Sequence, residues 1–145
     1  MTDLIYLDYN CFQRGFDDLR QTRIKMEALA CQEIFTQAEA KQITLVWSFM
    51  HQDETLLCPF PQRKYAVLGL ANNCQVKIPP KIEVVELAKL FQQQTKLSSK
   101  DSVHVAAAEH IKADFFLTCD DNLIKQAVKL NLQTAIMNPI DYIRR

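Results

Sequence analysis

Acidic residues end two apolar runs that lie at opposite ends of the chain. Leu4 to Leu7 is followed by Asp8, and Phe115 to Cys119 is followed by Asp120 and Asp121. Each run predicts a buried strand with a carboxylate at its C-terminal end. Ligands of open α/β sheets bind beyond the carboxyl ends of the strands, so these acids are expected to face one site. Capping explains each acid equally well, since Asp8 precedes a turn and Asp120 precedes a helix.

Two helical segments add the acids Glu54 and Asp101. Ionised carboxylates about 5 Å apart repel by roughly 3 kcal/mol at an effective dielectric near 20, so four would not gather without a cation or shared protons. Oxygen ligands of this kind suit Mg²⁺ or Mn²⁺. Simpler interpretations remain open, because an acid in the first turn of a helix is favourable and Glu54 could lie on a solvated face. Asp53 and Glu27 compete with Glu54 as the helical acid.

Short β-branched and aromatic runs alternate with amphipathic helical segments along the 145 residues. This alternation indicates βαβ units, and it predicts a three-layer α/β/α sandwich with a central, mainly parallel five-stranded sheet. The length fits a single domain spanning 1–145. The predicted strands are 4–7, 43–47, 74–78, 115–118 and 133–137, and the predicted helices are 21–41, 48–58, 61–71, 81–94, 100–112 and 122–130. Residues 9–22 are predicted to be polar and turn-rich.

Four segments carry the acids, namely I-Y-L-D-Y-N, S-F-M-H-Q-D-E-T, S-K-D-S-V-H-V-A-A-A and F-F-L-T-C-D-D. Their order and spacing resemble the PIN domain, the fold of VapC-like toxins and related metal-dependent ribonucleases, over essentially the whole chain. The resemblance implies that Asp8, Glu54, Asp101 and Asp120 hold one or two Mg²⁺ or Mn²⁺ ions and catalyse hydrolysis of RNA phosphodiester bonds. Tyr9 departs from the family pattern, because a small Thr or Ser often stands at this position.

Supporting roles are expected for polar residues near the four acids. Asn10 and Thr118 match accessory positions of the first and last motifs, and Asp121 could support the site from behind. His104 lies on the helix face that carries Asp101, where a structural or supporting role is more common than direct ligation.

The resemblance implies the toxin of a type II toxin–antitoxin pair, inhibited by a small antitoxin protein and assembled as a homodimer. The chain has 17 basic and 17 acidic residues, so RNA binding would require a local basic patch. The candidates for phosphate contacts are Arg14, Arg20, Arg23 and Arg63. The alternative is a catalytically inactive PIN-fold module that binds RNA or protein. A phosphoacceptor receiver domain is disfavoured, because the first strand ends in a single acid and no Lys directly follows Thr118.

Composition excludes several other classes. With only two glycines the chain has no Gly-rich phosphate loop, and no apolar stretch is long enough to span a membrane. Five scattered cysteines without a C-x-x-C pair indicate reduced, mostly buried thiols in a cytoplasmic protein, at Cys11, Cys31, Cys58, Cys74 and Cys119. A nucleophilic Cys119 is disfavoured, because the charge of the adjacent Asp120 would oppose thiolate formation.

Overall fold

The central sheet contains five strands in a computed structural model that describes residues 2–145. Met1, which belongs to the predicted domain 1–145, lies outside the described residues. The strands are β1 (Leu4–Leu7), β2 (Thr44–Ser48), β3 (Val76–Ile78), β4 (Phe115–Leu117) and β5 (Ala135–Met137). Their order is β3-β2-β1-β4-β5 and all neighbouring pairs are parallel, which confirms the expected α/β sandwich.

Helices connect the strands and cover the sheet. They are α1 (Tyr9–Gln13), α2 (Thr22–Glu39), α3 (Phe49–Leu56), α4 (Pro61–Ala71), α5 (Ile82–Gln94), α6 (Ser99–His110), α7 (Asp121–Ala127) and α8 (Pro139–Arg144). The prediction of a turn-rich segment after β1 is wrong at α1, and α8 was not predicted. Helices of five and six residues are too short to show an apolar period. Among residues 2–145, no helix has the length and apolar character that crossing a membrane requires.

The side chains of β1 alternate between two hydrophobic cores. Ile5 and Leu7 pack in the core that contains buried residues of α2, α4 and α8, whereas Tyr6 packs with α5, α6 and α7. All three side chains are fully buried, as expected for the central strand of a parallel sheet. Because β1 is covered on both faces, only its C-terminal end is available to present polar chemistry.

Serine caps fix the start of the two helices that carry Glu54 and Asp101. The Ser48 hydroxyl accepts a hydrogen bond from the backbone of His51, and Ser98 accepts one from the backbone of Asp101. These bonds satisfy N–H groups that have no partner within the helix. The sequence predicts Ser48, and either Ser98 or Ser99, as the caps of these two helices, and the observed caps set where each helix leaves the edge of the sheet.

The alanine run of α6 permits close packing against its neighbours, and this can be tested by Ala107→Leu. Ala107 is fully buried, so the larger side chain would overpack the core and lower the free energy of unfolding by about 1–3 kcal/mol in urea denaturation. Ala66→Leu, at an exposed position of α4, is the matched control and should change stability by less than about 0.5 kcal/mol. Equal effects at the two positions would contradict this packing.

Candidate functional site

Asp8 and Thr118 meet because β1 and β4 are neighbours that end at the same edge of the sheet. Leu7 lies opposite Leu117, and the backbone N–H of Asp8 donates to the Leu117 carbonyl at 2.8 Å. The Thr118 hydroxyl donates to Asp8 Oδ2 at 2.7 Å, and Asp8 Oδ1 accepts from the Tyr9 backbone at 2.7 Å. The carboxylate that follows β1 therefore has a fixed orientation.

Asn10 joins the two acid-tipped segments. Its Nδ2 donates to Asp8 Oδ2 at 3.1 Å and to Thr118 Oγ1 at 3.2 Å, while its Oδ1 accepts from the Cys119 backbone at 3.2 Å. The backbone N–H of Asp120 donates to the same Thr118 hydroxyl at 3.1 Å. Asn10 and Thr118 thus both contact the Asp8 carboxylate, and their supporting role in a site stays a prediction.

The Asp8 carboxyl group is buried, although an ionised carboxylate is more stable in water. Its exposed fraction is only 6%, and burial raises its pKa from 3.8 to about 6. The nearby charges of Asp101 and Glu54 raise the pKa further, whereas His104 and the Thr118 hydroxyl lower it. A carboxylate in this state gains from a cation that would neutralise its charge.

Asp101 shares this electrostatic environment from the first turn of α6. Burial raises its pKa, and the charges of Asp120 and Glu54 raise it further, while the Ser98 hydroxyl and His104 lower it. Asp101 is therefore coupled to Asp120 on one side and to Glu54 on the other. Together with the couplings of Asp8, these interactions join all four predicted acids into one group.

Asp120 has the capping role that the sequence left open. Its Oδ1 accepts hydrogen bonds from the backbones of Asn122 and Leu123, at 2.9 and 3.2 Å, and so caps α7. Within the described residues, no hydrogen bond engages Oδ2. One oxygen of Asp120 caps the helix, and the other remains available to a ligand.

Glu54 differs from both of its competitors in what surrounds it. Its side chain is 11% exposed and contacts His104, whereas Asp53 is exposed. Glu27 is fully buried, and its carboxylate accepts hydrogen bonds from Arg14, Arg23 and Asn138. Of the three acids, Glu54 is the one whose charge acts on Asp8 and Asp101.

A buried hydrogen-bond chain leads from the cap of α3 to Glu54. The Tyr6 hydroxyl lies 2.8 Å from Ser48 Oγ and 2.6 Å from His104 Nδ1, and His104 Nε2 contacts the Glu54 carboxylate. Because a carboxylate accepts hydrogen, Nε2 carries a proton and donates it to Glu54. A continuous series of hydrogen bonds thus joins Ser48, Tyr6, His104 and Glu54.

His51 anchors the start of this chain. Its Nε2 lies 2.6 Å from the Leu7 carbonyl and must donate, which leaves Nδ1 to accept from the Ser48 backbone at 2.9 Å. Burial lowers the pKa of His51 well below its usual value, so the ring is neutral. Sequence reasoning missed Tyr6 and His51, although a tyrosine hydroxyl inside a fully apolar strand is a signal that a buried polar partner exists.

The four acids are not drawn together to contact distance. Within residues 2–145, the one group of at least three His, Cys, Asp or Glu ligand atoms lying within 4.8 Å of one another consists of Cys11, Cys31 and Cys119. It stays a prediction that one cation binds both Asp8 and Asp120. Hydrogen bonds with Cys11 and Cys31, together with the Arg14 charge, lower the pKa of Cys119, so these groups favour its thiolate beside Asp120.

The Asp121 carboxylate pairs with a basic side chain. It is exposed and forms an ion pair with Arg23 at 2.6 Å. Arg14 is paired with Asp17 at 2.9 Å and with Glu27 at 3.0 Å. Two other arginines named as RNA contacts also meet acids, since Arg20 pairs with Asp18 at 2.9 Å and Arg63 lies 3.8 Å from Asp17.

A cleft of about 350 Å³ opens beside Glu54. Tyr9 forms part of its wall, with its hydroxyl held by Thr55 at 3.0 Å. Arg63 and Lys100 contribute basic side chains to the lining. Lys100 was not predicted from the sequence, although it directly precedes Asp101. The cleft therefore places positive charge next to an acid of the candidate site.

The raised pKa of Asp8 predicts a pH-dependent stability difference between Asp8→Asn and the wild type in chelator. Between pH 3.8 and about 6 the Asp8 carboxyl group is ionised in the unfolded chain but still protonated in the folded chain. Ionisation of Asp8 therefore lowers the free energy of unfolding of the wild type as the pH rises. Asp8→Asn has no carboxyl group at this position, so its free energy of unfolding does not fall for this reason. Relative to the wild type, its free energy of unfolding should rise by about 2.4 kcal/mol between about pH 4 and pH 7. A constant difference in urea denaturation, or one of opposite sign, would contradict the assignment.

The hydrogen-bond chain predicts that Tyr6→Phe destabilises the protein. The change removes the hydrogen-bond partner of His104 Nδ1, whereas the Ser48 hydroxyl keeps its contact with His51. The unpaired buried nitrogen costs about 1–3 kcal/mol of unfolding free energy. Tyr142→Phe is the control, because its hydroxyl donates at 2.8 Å to the partly exposed Asp3. Urea denaturation should show the larger loss for Tyr6→Phe, and an equal or smaller loss would contradict the chain.

Comparison with known proteins finds likeness in structure. No protein-family profile and no curated protein matches the chain. A chain of a toxin–antitoxin complex from Klebsiella pneumoniae superposes with a TM-score of 0.64 at 14% identity, covering 93% of this chain and 97% of that one. A chain of VapBC2 from Rickettsia felis, bound to a DNA fragment from its promoter, gives 0.62 at 11% identity, covering 93% and 98%. The protein therefore shares the fold of chains found in toxin–antitoxin complexes.

Proposed function

We propose that this protein is a Mg²⁺- or Mn²⁺-dependent ribonuclease of the PIN type and the toxin of a type II toxin–antitoxin pair. The observation that carries the proposal is the electrostatic coupling of Asp8, Glu54, Asp101 and Asp120 at the C-terminal edge of a parallel sheet. Ligands of α/β sheets bind at this edge. Partly buried acids whose pKa is raised by burial and by neighbouring charges, as at Asp8 and Asp101, are typical of functional centres.

The four acids fit a hard divalent cation by their chemistry. All of their donor atoms are carboxylate oxygens, the ligands that Mg²⁺ and Mn²⁺ prefer. Burial raises the pKa values of Asp8 and Asp101, and neighbouring acids raise them further, so a bound cation would stabilise their ionised forms. When bound, the ion would lower the pKa of a coordinated water and offset charge on the phosphodiester.

Neighbouring side chains orient these acids. Thr118 and Asn10 hold Asp8 by direct hydrogen bonds, and His104 holds Glu54. Partners of this kind fix the direction of a ligand oxygen before the ion arrives. One of the four carboxylates would also accept the proton of the attacking water.

The cleft beside Glu54 is the proposed approach of the RNA backbone. Arg63 and Lys100 line it and would contact phosphates on one side of the scissile bond. Arg20 and Arg23 are largely exposed, and phosphate oxygens would replace the carboxylates with which they pair. Arg14 is a weaker candidate, because it is mostly buried and stabilises Glu27.

The partner proposals follow from the sequence resemblance and the structural neighbours. Both reported neighbours are chains of toxin–antitoxin complexes, which supports a small antitoxin as the protein partner of this chain. We also propose a cytoplasmic homodimer.

Cleavage of RNA by the purified protein tests the proposed function. We expect activity with Mn²⁺ or Mg²⁺ and none in chelator. Asp8→Asn, Asp101→Asn and Glu54→Gln should each lower the cleavage rate at least about 100-fold, equivalent to about 2.7 kcal/mol of transition-state stabilisation. Asp53→Asn is the matched control for Glu54→Gln and should retain the wild-type rate, because Asp53 is exposed.

The outcomes separate the two function classes. Full activity in Asp8→Asn would reject the acidic centre. RNA binding without cleavage under any metal condition would identify the chain as an inactive binding module. Loss of activity in Asp53→Asn but not in Glu54→Gln would identify Asp53, and not Glu54, as the acid that α3 contributes to the site.

A further inference from the structure

Three cysteines from separate parts of the chain meet in the interior. Cys11 lies on α1, Cys31 on α2 and Cys119 directly after Thr118, and their Sγ atoms all lie within 4.8 Å of one another. Each side chain is at least 93% buried. The other two cysteines, Cys58 and Cys74, are not part of this group.

The spacing of the sulfurs suits a single thiophilic ion. A Zn–S bond measures about 2.3 Å, so two sulfurs on one tetrahedral Zn²⁺ ion lie about 3.8 Å apart. Sulfurs that already lie within 4.8 Å need to approach by no more than about 1 Å to reach this geometry. The hard acids and soft thiols therefore offer ligands to different classes of cation.

Charge around the cysteines is compatible with thiolate ligation. Three thiols that bind one Zn²⁺ release three protons, which leaves a complex with a net charge of −1. The Arg14 guanidinium acts on Cys119 and would offset this charge, although Glu27 nearby opposes a negative charge at Cys31. Arg14 and Arg23 already hold the Glu27 carboxylate in ion pairs.

A cavity adjoins two of the three cysteines. It has a volume of about 520 Å³, is mainly apolar, and includes Cys11 and Cys31 in its lining. Phe12 and Phe35 form part of the same wall. The cavity provides an entry path for an ion and space for a water molecule as its fourth ligand.

We propose that Cys11, Cys31 and Cys119 form a thiolate site for one divalent thiophilic cation, and that this cation is Zn²⁺. The site joins α1, α2 and the end of β4 beneath the acidic edge. It is independent of the proposed ribonuclease activity, because none of the four acids contributes a ligand.

Titration of the reduced, metal-free protein with Co²⁺ tests the site, since Co²⁺ substitutes for Zn²⁺ and reports thiolate ligation by sulfur-to-metal charge-transfer absorption. We expect the charge-transfer band to saturate at one Co²⁺ per chain and to disappear when Zn²⁺ displaces that ion. Cys11→Ser, Cys31→Ser and Cys119→Ser should each weaken binding at least about tenfold. Cys74→Ser is the matched buried control, Cys58→Ser is the more exposed control, and both should bind as the wild type does.

Asp8→Asn should retain the charge-transfer band, which separates this site from the acidic centre. Absence of the band in the wild type would overturn the proposal. Retention of full affinity in Cys31→Ser, or an equal loss in Cys74→Ser, would do so as well.

A second measurement uses the wild type alone, so it does not depend on the folding of any variant. Iodoacetamide modification of each cysteine is followed by mass spectrometry with and without Zn²⁺. We expect Zn²⁺ to slow modification of Cys11, Cys31 and Cys119, and to leave Cys58 unchanged. Equal modification rates with and without Zn²⁺ at the three clustered cysteines would overturn the proposal.

Discussion

The parallel pairing of β1 with β4 is the constraint on which the polar edge of the sheet depends. The hydrogen bond from the Asp8 backbone to the Leu117 carbonyl continues the ladder one step past the strands. Thr118 and Asn10 can reach Asp8 only in this register. A slip of one residue would turn every side chain of β1 to the opposite face and expel Tyr6 from its core.

A series of buried hydrogen bonds crosses the hydrophobic core on one side of the sheet. Tyr6 faces the core formed with α5, α6 and α7, yet its hydroxyl has partners on both sides in Ser48 and His104. Every buried side-chain nitrogen and oxygen in residues 2–145 has a hydrogen-bond partner. A fully satisfied network in a low-dielectric interior is rigid, because breaking any link leaves an unpaired polar group.

The sequence predicts those features that depend on local pattern. Apolar runs located the strands, and the serine caps located the starts of α3 and α6. Distant contacts were not predictable. His104 meets Glu54 across 50 residues and Arg23 meets Asp121 across 98, and neither spacing has a periodic signature. The cysteines seemed scattered for the same reason, because only the chain topology brings together thiols from separate elements.

The hydrogen-bond chain has a mechanical consequence for α3. Ser48 caps the helix, Glu54 lies on its last turns, and both are tied to Tyr6, directly or through His104. The helix is thus pinned at two points along its length to a strand and to another helix. Such a two-point restraint opposes both rotation about the helix axis and sliding along it. The position of the Glu54 carboxylate is therefore determined by the sheet and by α6, and thermal fraying at the C-terminal end of α3 would displace it little.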